Sequence, residues 1–177
     1  MNNNIIDQIL IINNNSVPDV NFLNFDELSL LINNSYYFDT IELNGFVAGF
    51  MLALDNKCDY SSENYKWFQS RYDDFIYIDR IALSKVTQGR GIGKQLYTKF
   101  ISHCKRNKVI LIVSEVNIEP VNEKSMVFHK RMGFIQIDTF NNKNSGKLVA
   151  MMALPISCDD KIAQQINARE RFAPGDL

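Results

Sequence analysis

Residues 78–100 read IDRIALSKVTQGRGIGKQLYTKF. An apolar run, Ile78 to Leu83, gives way to Gln88-Gly89-Arg90-Gly91-Ile92-Gly93. A helical pattern follows from Gly91 to Arg106, with Ile92, Leu96, Phe100/Ile101 and Cys104 on one stripe. Strand, glycine loop and helix is a geometry that holds phosphate. The helix start offers unpaired backbone N–H groups and a partial positive charge, and glycines let the backbone approach closely. Two familiar phosphate loops fail on their letters. The dinucleotide fingerprint started at Gly89 needs glycine at position 94, where Lys94 stands. The Walker A pattern needs Ser or Thr after Gly93-Lys94, where Gln95 stands.

Working outward, FIYIDRIAL (75–83) reads as a strand. Upstream, residues 36–55 read as two strands joined at Asn44-Gly45, a strong hairpin signal. Asn24 is the expected N-cap of a helix carrying Phe25, Leu28 and Leu31/Ile32, with Asn33-Asn34 as its stop. Ile5 to Ile12 reads as a first strand, broken at Val17-Pro18-Asp19. Between Asn56 and Asp74 lies a polar insertion with Tyr60, Tyr65, Trp67, Phe68 and Tyr72. It is either a short helix whose aromatics cover a sheet edge or a lid, in which case Tyr65 and Trp67 would touch substrate. Downstream, VILIVSEVNI (109–118) is a strand apolar enough to be covered on both faces. Asn122 to Arg131 is a helix capped by Asn122 and ended at Gly133, and FIQIDTF and LVAMMAL are two further strands. The expected order, β-α-β-β-β-α-β-α-β-β, describes a mixed sheet in an α/β or α+β domain over residues 1–154. Residues 155–177 read as a surface helix and tail, a dimer arm, or partly vector-derived sequence, which leaves a homodimer open.

The whole chain sets further bounds. It has 177 residues, 46% of them hydrophobic, which excludes a disordered chain. A net charge of −1 gives no global pull toward nucleic acid or anionic lipid. No apolar run reaches the roughly 20 residues that span a bilayer, and the start lacks the basic flank and cleavage site of a secretory signal. Cys58, Cys104 and Cys158 form no CxxC pair, so neither a disulfide framework nor a metal site is indicated, and a cytoplasmic setting is expected.

Gln88-x-x-Gly91-x-Gly93 at a strand-to-helix junction resembles the coenzyme A pyrophosphate loop of the GNAT superfamily of N-acetyltransferases. The stretch EVNIEPVNEKSMVFHKRMGF (115–134) is similar to the second half of that family's core, with Asn122, Ser125, Phe128 and Gly133-Phe134 at its marked positions. Together with the YIDRI strand, it resembles a small bacterial branch of the family. The resemblance implies a GNAT-like acyl-CoA N-acyltransferase fold, with a mixed sheet of about six to seven strands and flanking helices, up to about Leu154. It also implies an acetyl-CoA-dependent N-acetyltransferase, without a metal, that acetylates the amine of a small molecule or amino acid. A coenzyme A-binding sensor without efficient turnover and a protein or peptide amine acetyltransferase are the alternatives. A nucleotide triphosphatase is disfavoured by the missing Lys-Ser/Thr.

The same resemblance assigns roles. Backbone groups of Ile81, Ala82 and Leu83 would meet the pantetheine arm. Gln88 opens the loop, and the amides of Gly89, Arg90, Gly91, Ile92, Gly93 and Lys94 would hold the pyrophosphate, with charge from Arg90 and Lys94. Asn122, Ser125 and Phe128 would also contact the coenzyme. Many family members have Tyr after the aromatic as the acid that protonates the thiolate. Here Phe128-His129 stands instead, so His129 is either that acid or a residue that merely contacts coenzyme A or water. Strand alternation puts Glu115 and Asn117 on one face of an apolar strand, and Asp79 on the face of Tyr77, Ile81 and Leu83. A carboxylate there is paired or functional. Glu115 is the first candidate base and Asp79 the second, with a structural pair to Arg80 as the alternative. Asn117 is expected to touch substrate, and His103 to be solvated.

Overall fold

The structure, a computed structural model, describes residues 3–156. Beyond Ile156 the expected tail lies outside the described residues. The elements are α1 (Asn3–Asn14), α2 (Phe25–Asn33), β1 (Tyr37–Leu43), β2 (Phe46–Asp55), α3 (Glu63–Gln69), β3 (Ile76–Leu83), a 3₁₀ turn (Lys85–Thr87), α4 (Ile92–Arg106), β4 (Leu111–Glu119), α5 (Glu123–Arg131), β5 (Ile135–Asn142) and β6 (Lys147–Pro155). Six strands form one mixed sheet in the order β1-β2-β3-β4-β6-β5. Contacts divide the chain into two interleaved units, residues 1–58 with 78–103, and residues 59–77 with 104 onward. β3 contributes Ile76 and Tyr77 to the second unit and its remaining residues to the first.

In the first unit, the expected strand at Ile5–Ile12 is instead part of helix α1. Its run of isoleucines satisfies both periods, and the helical one wins. Ile6, Ile9 and Ile12 are buried while Ile11 is exposed, the spacing of one helical face. That face packs with Leu23, Leu28, Val47, Phe50 and Ala82. The expected cap of α2 forms in full: Glu27 N donates to Asn24 Oδ1 at 2.9 Å, and Asn24 N donates to Glu27 Oε2 at 2.8 Å. The hairpin turns where expected, with Asn44 (φ 52°) and Gly45 (φ 79°) both left-handed. His103, expected to be solvated, is half-buried against Tyr36 and Tyr37, with ring centroids 5.5 and 5.0 Å away.

In the second unit, β3 begins in parallel with β4 at Ile76↔Ile112 and Tyr77↔Val113. β4 is antiparallel to β6, and β6 to β5. The insertion between β2 and β3 carries α3, with the Ser62 hydroxyl accepting from Tyr65 N. Its aromatics are core. Tyr65 and Phe68 are fully buried and Trp67 and Tyr72 nearly so, and Tyr65 packs edgewise on Tyr77 at 5.5 Å. This is the edge-covering helix of the two readings. Tyr65 and Trp67, expected to touch substrate, both have their rings inside the unit's own packing.

Candidate functional site

In the first unit, Gly89 (φ +77°) and Gly91 (φ +78°) both adopt the left-handed conformation, with open space around the position of a Cβ. The chain thereby turns sharply into α4. The first helical bond is Gln95 N to Gly91 O at 3.0 Å. The N–H groups of Gly91, Ile92, Gly93 and Lys94 therefore point outward without an intrahelical acceptor. Gln88, Gly89, Arg90, Gly91 and Lys94 are exposed, while Ile92 and Gly93 are buried. A fifteen-residue helix places its positive dipole end here. Backbone donors, dipole and the two exposed cations suit a pyrophosphate.

This loop is pinned from below. Thr87, buried, has its hydroxyl 2.8 Å from Ala48 O and 2.9 Å from Ser84 O, and Ser84 N donates to Ala48 O at 2.9 Å. Next to Ala48, Gly49 lets β2 lie close under the end of β3. A Cβ there would stand 2.5 Å from Leu83 Cδ2, 3.1 Å from Ala82 O and 3.3 Å from Ile92 Cγ2. Thr87 and Gly49 were not singled out from the sequence. The isolated glycine inside a strand pattern was a signal for Gly49 alone, and it does not name the neighbours. Ile81, Ala82 and Leu83 lie at the end of β3, directly before this turn. Asp79 and Arg80 precede them with both side chains only 4% exposed. They form an ion pair of 2.6 Å, and Arg80 Nη1 also donates to Asn13 Oδ1 at 2.9 Å. Asp79 thus sits in the structural pair that was its alternative reading.

In the second unit, β4 alternates Leu111, Val113, Glu115 and Asn117 along one face. Asn64 of α3 reaches that face, and its Nδ2 donates to Glu115 Oε1 at 2.9 Å. Asn142, buried at the end of β5, donates from Nδ2 to Asn64 Oδ1 at 2.8 Å. Asn117 is 9% exposed, and its Nδ2 has no hydrogen-bond partner among the described residues. Immediately after Asn117 the pairing with β6 slips by one residue. The bulge interrupts the ladder there, and Asn122 N donates to Asn117 O at 3.1 Å.

α5 starts at the expected cap: Asn122 Oδ1 accepts from Ser125 N at 3.0 Å. It ends at Gly133, whose φ of +93° explains the glycine. Phe128 is half-buried. His129 is 3% exposed, with Nδ1 2.8 Å from Ser125 O and 3.2 Å from Ser125 Oγ. Only a protonated Nδ1 fits a carbonyl at that distance, so Nδ1–H donates to Ser125 O. Burial pushes the imidazole below its ordinary 6.5, against a smaller upward pull from the Ser125 carbonyl. The ring is therefore neutral at pH 7. Cys104 is buried and its thiol is pushed up to about 12, which leaves it unreactive. No helix among the described residues is long and apolar enough to cross a membrane.

The model of the acetyltransferase (GNAT) family matches residues 8–134. The Bacillus subtilis (strain 168) protein named "Putative acetyltransferase YjbC" is 34% identical over 76 residues, or 43% of this chain. The chain spans 36% of that relative's length. Among solved structures, Ard1 from Thermoplasma volcanium superposes with a TM-score of 0.70 at 17% identity, covering 89% of this chain and 95% of that one. yncA from Salmonella typhimurium, solved with its cofactor acetyl-CoA, gives 0.66 at 16% identity, covering 89% and 91%. At these identities the structures share the fold. With the family match extending over most of the sequence, the chain belongs to the acetyltransferase (GNAT) family.

Proposed function

We propose that this chain is an acetyl-CoA-dependent N-acetyltransferase that acetylates the primary amine of a small molecule or amino acid. The observation that carries the donor is the exposed, glycine-turned start of α4, with its outward N–H groups flanked by Arg90 and Lys94. Gln88 to Lys94 would hold the pyrophosphate, the end of β3 from Ile81 to Leu83 the pantetheine arm, and Ser125 and Phe128 part of the same coenzyme. Acetyl-CoA, when bound, supplies the acetyl group. Glu115, which accepts a hydrogen bond from Asn64, takes a proton from the substrate ammonium, and the freed amine attacks the thioester carbonyl; the C–S bond then breaks, and coenzyme A leaves as a thiolate that takes up a proton. A backbone N–H near Leu83 stabilises the oxyanion. Asn117, with a buried donor that has no partner among the described residues, would bind an acceptor on the substrate. It stands two residues from Glu115 on one strand face, roughly 6.6 Å along the strand. That spacing suits an amine with a carbonyl or carboxylate a few bonds away.

The neutral, buried state of His129 supports assigning it to hold the first turn of α5 rather than to donate a proton. The same observation favours the second reading, a coenzyme A-binding module without efficient turnover. Free thiol release from acetyl-CoA, followed with a panel of small amines, amino acids and short peptides, separates the readings. Release that depends on a small amine or amino acid is the expected result. Binding of acetyl-CoA with no release for any acceptor would leave the binding module. Release with peptides alone would move the substrate class to protein ends.

A further inference from the structure

Three amide and carboxylate side chains far apart in sequence meet in the second unit, and their orientation is fixed from one end. Asn142 opens the four-residue turn between β5 and β6. Its Oδ1 accepts from the backbone N–H of Ser145 at 2.9 Å. A backbone N–H can only donate, so this contact decides which way the Asn142 amide faces. Nδ2 of Asn142 then donates to Asn64 Oδ1, and Nδ2 of Asn64 donates to Glu115 Oε1. Each amide is set by the one before it, and a donor is delivered to the carboxylate. Asn142 is 6% exposed, so water has little access to this end of the relay, while Asn64 and Glu115 are half-buried.

We propose that Asn64 and Asn142 are positioning residues for Glu115: a one-way hydrogen-bond relay from the Ser145 amide holds the carboxylate in its accepting orientation. The catalytic consequence rests on the reading of Glu115 as the base. Such a relay fixes the carboxylate's rotamer and favours its ionised form, because only that form offers acceptors alone. Glu63 and His129, titratable groups of the same unit, make hydrogen bonds of their own. Glu63, one residue before Asn64, accepts from Asn144 N at 3.1 Å. Met151 is the cross-strand partner of Glu115 on β6, and His129 on α5 gives its Nδ1 to Ser125.

Asn142→Asp is the discriminating variant. It keeps an oxygen for Ser145 N, and so the turn, but has no N–H for Asn64 Oδ1. Facing the new carboxylate, the Asn64 amide turns its Nδ2 toward position 142, and its Oδ1 then replaces the donor to Glu115 without any change at Glu115 itself. Asn64→Leu removes it directly and serves if Asn142→Asp fails to fold. The measurements are steady-state kinetics and the titration midpoint of the ¹³C-labelled Glu115 carboxyl. In both variants kcat should fall at least tenfold, about 1.4 kcal/mol of barrier, with KM for acetyl-CoA within twofold, and the midpoint should move to higher pH. A midpoint unchanged from wild type in a folded variant would overturn the relay. Glu115→Gln tests the base separately. Full activity in Glu115→Gln would remove the base reading and the kinetic role of the relay with it. A raised midpoint in Asn64→Leu, which adds no charge beside Glu115, would still establish the hydrogen-bond chain.

Discussion

Gly49→Ala places one methyl group where the structure has no room, beneath the junction of β3 and α4. The new Cβ would stand 2.5 Å from Leu83 Cδ2. Carbon atoms rest about 3.5–4.0 Å apart. Leu83 is half-buried, so its side chain can swing aside. Ala82 O at 3.1 Å is backbone and moves only with β3, and Ile92 Cγ2 at 3.3 Å belongs to the first residue of α4. Relief therefore displaces the end of β3 or the helix start, and overpacking of this kind costs about 1–3 kcal/mol. For a domain of this size that is a fall in Tm of roughly 2–12 °C. Urea denaturation should show a lower midpoint at an unchanged slope. Acetyl-CoA binding, measured calorimetrically on the folded variant, should weaken as well, because the displaced atoms carry the donors of the loop. A variant with wild-type stability and wild-type acetyl-CoA affinity would refute the claim that Gly49 sets this approach.

Two further outcomes follow from the second unit. His129 has a folded-state pKa below its ordinary 6.5, so on acidification the unfolded chain takes up a proton before the native one. The stability it contributes is complete above about pH 6.5 and is lost as pH falls from there toward the folded value. The decline in Tm between pH 7 and 5 should be shallower in His129→Phe, and an identical slope would count against a buried neutral ring. Asn122→Ala removes the side-chain acceptor for Ser125 N and should lower stability by about 1 kcal/mol in denaturant melts.

Much of the fold, and the glycine turn into α4, could be read from local letters. The loop is legible because left-handed turns need glycine at Gly89 and Gly91, and the caps at Asn24 and Asn122 because an Asn side chain has a fixed local task. α1 was misread as a strand because the short run from Ile5 to Ile12 is apolar at nearly every position and carries both periods. Tyr65 and Trp67 show a different limit. A polar segment sprinkled with aromatics looks the same whether the rings cover the unit's own sheet or a ligand, and only packing separates the two. Asn64 and Asn142, 78 residues apart, were invisible in a chain where asparagine is common. Their meaning lies in orientation, which no spacing records. Gly49 was hidden for the same reason, since its neighbours come from residues 82–92.

Thermal unfolding of the whole chain with and without saturating acetyl-CoA tests most directly whether the start of α4 holds the coenzyme. At a hundred times its Kd, a ligand of the native state adds about 2.7 kcal/mol. For this size that is a rise in Tm of roughly 5–11 °C, and Gly91→Ala, strained at its positive φ, should show a smaller rise at the same concentration. An unchanged Tm for the wild-type chain at millimolar acetyl-CoA would contradict the assignment of this loop to the coenzyme.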